Sequence, residues 1–103
     1  MAPADQEEYR TTAPKYEGTY YKVQMIAVKK FDENNPQFQA LATVGDIETE
    51  YLVQRGITRV LLAAFLAPEE AKQAQAAAHN QGFHSAFIVK YENGRRYGMV
   101  KLR

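Results

Sequence analysis

The chain has no cysteine and no tryptophan, and its 103 residues include only four prolines and six glycines. Without cysteine there are no disulfide staples, thiolate metal sites or cysteine nucleophiles, so the fold must rest on its apolar core. The absence does not assign a compartment, because oxidising compartments also hold cysteine-free proteins. Charge of one sign is also lacking: 13 Lys and Arg face 12 Asp and Glu, for a formal net charge of +1. That balance argues against a generic polyanion binder. The longest apolar run, Val60 to Pro68, is far too short to span a bilayer. The opening MAPADQEEYR has neither a basic n-region nor an apolar stretch, so an export signal or anchor is expected to be absent from this chain. The length fits one small domain.

Residues 1–18 carry Pro3, Pro14 and several acids but almost no aliphatic side chains. Such a segment buries too little apolar area to offset its ordering entropy, and it reads as a flexible tail or linker. The folded unit is expected over residues 19–103. Thr19 to Val28 is rich in Tyr, Val and Ile without a breaker, and predicts a strand. Asn35-Pro36 supplies an N-cap and a first-turn proline for a short helix ending before Gly45. Ile47 to Val53 alternates apolar and polar residues as a strand. Arg55-Gly56 turns it into an aliphatic strand over Ile57 to Phe65, and the tight link implies an antiparallel hairpin.

Pro68-Glu69-Glu70 opens the strongest helix, with Ala71, Ala74 and Ala78 on one face and Gly82 at its end. Alanine rather than leucine on that face allows close approach to a sheet. Phe83 to Tyr91 predicts another strand, and Asn93-Gly94 a two-residue hairpin into Arg95 to Leu102. The expected fold is α+β. It is a ferredoxin-like β-α-β-β-α-β sandwich, an antiparallel sheet with two helices on one face, plus an extra C-terminal strand. The other sheet face is expected to stand open.

Little in the sequence suggests catalysis. His79 and His84 have no ligand-spaced partners, so no metal or cofactor is expected. His79 is expected to favour the helix C-terminus through the dipole, and His84 to lie on the surface. The glycines sit singly at turns, so there is no phosphate loop. Glu48 and Glu50 share one strand face, where charge is expected to be solvated.

Four blocks, in order, resemble the SPOR domain family. They are Tyr20-Tyr21-Lys22-Val23-Gln24-Met25, Gly56-Ile57-Thr58-Arg59-Val60-Leu61-Leu62, Phe65-Leu66-Ala67-Pro68-Glu69-Glu70-Ala71 and Gly82-Phe83-His84-Ser85-Ala86-Phe87-Ile88-Val89. The Asn93-Gly94-Arg95-Arg96 ending is similar to the branch of the family common in Bacteroidetes-type bacteria. The resemblance implies a periplasmic or envelope module without catalysis. It also implies binding to peptidoglycan, chiefly glycan strands stripped of stem peptides. Ile26, Ala27 and Ala63 stand where the family commonly has Gly, Ser and Gly.

Strand alternation assigns the expected site. If Val23 and Met25 face the helices, Lys22, Gln24 and Ile26 face the open side. Arg59, Leu61 and Phe87 join them from neighbouring strands. Ring faces of a sugar pack on apolar or aromatic surface, while Gln and Arg supply directional hydrogen bonds. Two rival readings use the same surface. One is a protein-interaction module, with a homodimer through the sheet face or edge as one form. The other is a single-stranded RNA binder, disfavoured because RVLLAAF lacks the glycine and interleaved aromatics of the RNA-binding pattern. No nucleic-acid partner is therefore expected.

Overall fold

Residues 7–102 are described by a computed structural model of the chain. Eight elements follow one another: β1 (Tyr9–Arg10), β2 (Thr19–Val28), α1 (Pro36–Gln39), β3 (Asp46–Leu52), β4 (Ile57–Phe65), α2 (Pro68–Asn80), β5 (Phe87–Glu92) and β6 (Arg95–Val100). The strands form one six-stranded sheet in the order β1-β3-β4-β2-β5-β6, antiparallel at every step. The architecture is α+β, a curled antiparallel sheet with two helices.

One sheet face and the helices share an apolar core. Val23 and Met25 of β2, Val60 and Leu62 of β4 and Ile88 of β5 pack with Ala71, Ala74 and Ala78 of α2. The three alanines are completely buried, so the backbone of α2 lies close to the sheet. Glu69 and Glu70 occupy the first turn of α2, and the Glu70 carboxylate accepts the Ala67 N–H at 3.4 Å. Both features suit the positive end of the helix dipole.

Three elements are shorter than their pattern predicts, and β6 simply ends at Val100 rather than Leu102. The first helix stops at Gln39, and Leu41 reaches the core from the turns that follow, where its own N–H meets the Phe38 carbonyl at 3.0 Å. The fifth strand begins at Phe87 rather than Phe83. Residues 83–86 form a turn instead, because the Ala86 carbonyl accepts from Gln75 Nε2 at 3.0 Å and from His79 Nε2 at 2.9 Å. Those carbonyl bonds go to α2, leaving none for a ladder. His79 thus ties the helix to this turn, a role that the helix-end expectation did not include.

The larger difference lies at the N-terminus. From residue 7 the segment expected as a tail lies along the sheet. Tyr9–Arg10 pairs with Leu52 and Tyr51, and the Thr11 hydroxyl donates to the Thr49 carbonyl at 2.6 Å. Glu7 pairs with Arg55, whose Nε lies 2.8 Å from Glu7 Oε2. At its other end Gly18 is clamped to the β5–β6 hairpin. Its N–H donates to Asn93 Oδ1 at 2.8 Å, and its carbonyl accepts the Asn93 N–H at 2.9 Å. Residues 7–18 therefore run as a strap from one sheet edge to the far hairpin. Composition hid this, since the strap is held by polar groups and aromatic rings rather than aliphatic burial.

Candidate functional site

The sheet face opposite the helices is concave and filled. Tyr20, Val89 and Tyr91 form a small core there, with the Tyr20 and Tyr91 rings stacked 5.3 Å apart. Beside them lies a buried polar network centred on Glu50, whose relative exposure is 0%. Its carboxylate sits 2.9 Å from the Arg59 guanidinium and 3.1 Å from that of Arg96, and it accepts the Tyr91 hydroxyl. Arg96 also donates to Gln24 Oε1 at 2.8 Å. Lys22 Nζ lies 2.6 Å from Glu48 Oε1 and 4.7 Å from the Tyr91 ring centre. Tyr9 of the strap covers Arg59, its ring centre 5.1 Å from the guanidinium carbon.

These surroundings explain the acid–base behaviour of the tyrosines. Burial, reinforced by the Glu50 carboxylate, holds the Tyr91 phenol far above its ordinary value. Burial also raises Tyr9 and Tyr20. On the surface, the hydrogen bond from Arg55 pulls the Glu7 carboxyl down.

Of the six residues expected on the open face, Lys22, Gln24, Arg59, Leu61 and Phe87 do share the concave side. The face is not open, however. Lys22, Arg59 and Leu61 are buried, and Gln24 and Phe87 are half-buried. The acid pair is likewise not solvated, since Glu50 is buried and Glu48 is tied to Lys22.

Ile26 is misplaced for a separate reason. A register shift between Gln24 and Ile26 puts Ile26 opposite Val60, a residue of the helix-side core. One extra residue in a strand inverts the facing of everything beyond it. Ile26 therefore lies on the helix side, at 39% exposure.

An accessible concavity lies elsewhere. A groove of about 910 Å³ lies between the strap and the β5–β6 hairpin, walled by residues 7–11 and Lys15 on one side and by residues 92–97 on the other. Tyr9 and Tyr97 offer ring surface, and Asn93, Arg95 and Arg10 offer polar groups. No residue of the expected site lines it. Sequence reasoning missed it because half of its wall comes from residues 7–11 and Lys15, whose polar surroundings predict a tail. The usable signals were Tyr9 within an otherwise polar stretch and the Arg95–Tyr97 end of the hairpin.

Among the described residues, no group of three or more His, Asp or Glu side chains is placed to hold a metal ion. No helix there is long and apolar enough to cross a membrane. No family model, no curated protein and no solved structure matches this chain.

Proposed function

We propose that the chain is a non-catalytic binding module of the bacterial envelope that takes peptidoglycan glycan strands in the groove between the strap and β6. The observation that carries the reading is the groove itself, which combines the rings of Tyr9 and Tyr97 with the polar groups of Asn93, Arg95 and Arg10. A sugar chain needs that mixture of apolar ring contact and directional hydrogen bonding. The SPOR-like blocks along residues 20–91 support the same ligand. A ferredoxin-like assignment is supported by the inner strand order β3-β4-β2-β5, with a helix in each crossover and β1 and β6 added at the two edges. The non-catalytic reading is supported by Glu48 and Glu50, which are held in ion pairs rather than poised as a proton-transfer couple.

In this reading Gln24 and Arg59 shape the face beneath the ligand and do not touch it. Co-sedimentation with purified sacculi tests the proposal. The domain is expected to pellet with them, at least as well after amidase has removed the peptides, and with little dependence on salt. Tyr97→Ala and Arg95→Ala are expected to release it without changing the melting temperature. A domain that stays in the supernatant with both kinds of sacculi overturns the glycan reading. Retention that collapses steeply with salt points to a polyanion instead.

A further inference from the structure

We infer that β6 is a docking edge for an extended acidic peptide, which adds to the sheet as a further strand antiparallel to β6. β6 is the last strand of the sheet, and among the described residues no strand or loop pairs with its outer edge. Natural edges are usually blunted by charge, covered or kept very short. This edge runs for six residues and carries Tyr97 and Met99, each 60% exposed. A register shift at Tyr97, opposite the Lys90–Tyr91 step, is its one blunting feature. The groove lies beside the first half of this edge, Arg95 to Tyr97, and leaves room there for a chain to enter.

Charge selects the occupant. Arg10, Lys15 and Arg95 line the groove and make no ion pair among the described residues. Of the groove's acids, Glu7 is paired with Arg55 and Glu92 with Lys90, which leaves Glu8 alone to answer three cations. A second copy of the chain fits poorly. The β6 of a second copy brings two arginines and no acid, which adds to the cation excess of the groove instead of answering it. An acidic strand meets the cations and satisfies the row of backbone groups, with alternate apolar side chains covering Tyr97 and Met99.

The inference goes beyond the glycan reading at the same groove wall of Arg95 and Tyr97. The peptide titration and the sacculus pelleting are separate measurements, so failure of one reading is distinguishable from failure of the other. The probe is a short fluorescent peptide alternating Glu with Val and Thr. Its controls are the same peptide with Lys for Glu, and the acidic peptide N-methylated at alternate backbone nitrogens. The full chain is expected to bind only the unmethylated acidic peptide in an anisotropy titration. Binding should slow hydrogen exchange at the Tyr97 and Met99 amides. Lys15→Glu with Arg95→Glu should weaken it about tenfold, since exposed charge pairs each contribute only modestly.

Equal binding of the N-methylated peptide would reduce the effect to charge attraction and overturn strand addition. Binding of the Lys peptide, or of none at millimolar concentration, overturns it as well. A dimer in sedimentation equilibrium that protects β6 without peptide replaces the peptide by a second copy and also overturns it.

Discussion

Glu50 on β3 and Arg96 on β6 meet at 3.1 Å although three strands, β4, β2 and β5, lie between theirs. Four strand spacings across a flat sheet would separate the two backbones by roughly 19 Å, at about 4.8 Å each. The contact therefore requires the curl that turns an open face into a concave interior. Arg59 on β4 and Tyr91 on β5 meet the same carboxylate, so one side chain of β3 joins β4, β5 and β6. Geometry of this kind serves shape before it serves stability, because desolvating the charges offsets much of their attraction.

Removing the shared carboxylate is expected to be severe. Glu50→Ala should lower unfolding free energy by about 3–5 kcal/mol, the usual cost of breaking a buried ion pair from one side. Glu50→Gln, which keeps the volume and one acceptor, should cost less. Urea denaturation followed by circular dichroism measures both, and equal midpoints for wild type and Glu50→Ala would refute the role given to Glu50.

The strap makes a second prediction. Asn93 adopts φ of +52°, a conformation that asparagine tolerates better than most residues, and its side chain holds the Gly18 N–H. Asn93→Ala loses both advantages and should destabilise by about 1–2 kcal/mol. Gly94 beside it, at φ +81°, has no room for a Cβ, which would meet Lys15 of the strap at 2.8 Å. A chain beginning at Gly18 lacks Tyr9 over Arg59 and the Thr11 hydrogen bond, and should melt well below the full chain. An unchanged melting temperature would return residues 7–17 to the status of a tail.

Alkaline pH should weaken the fold. The Tyr91 phenol is raised above its ordinary value of 10.0 by burial and by Glu50. The unfolded chain therefore loses this proton first as pH rises, and the native state binds more protons than the unfolded state. Stability from this group is complete below about pH 10 and falls above it. Denaturation midpoints measured from pH 8 to 11 should drop at the alkaline end, and Tyr91→Phe should show a shallower drop. A parallel fall in both proteins would assign the effect to other groups.

The helix–sheet contact offers the most direct test of the core. Ala74 is completely buried between α2 and the sheet. Ala74→Leu should cost about 1–3 kcal/mol through overpacking. Ala76, exposed on the same helix, should accept the same change with little effect. Thermal melts of the two variants compare them directly.

How far the sequence reached depends on the range of each interaction. The Asn93-Gly94 hairpin, the Asn35-Pro36 helix start, the β3–β4 hairpin and the alanine face of α2 were all legible, because each is set by residues a few positions apart. The sharing of one face by Lys22, Gln24, Arg59, Leu61 and Phe87 was legible too, since alternation along a strand is local. Ile26 was not, because a single extra residue between Gln24 and Ile26 inverted the facing, and only pairing with β4 shows where it falls.

The amino-acid order alone determined the strand and helix segments apart from β1 and the exact ends of α1, β5 and β6, the side of the sheet that the helices cover and the absence of any cysteine chemistry. Tertiary structure alone decided that the opposite face is filled rather than open. Burial of Glu50 depends on Arg59, Tyr91 and Arg96 arriving from three other strands. The groove depends on a polar strap lying across a curled sheet. Neither leaves a periodic trace in the chain, because ion pairs and cross-sheet contacts join residues at separations that no local pattern encodes.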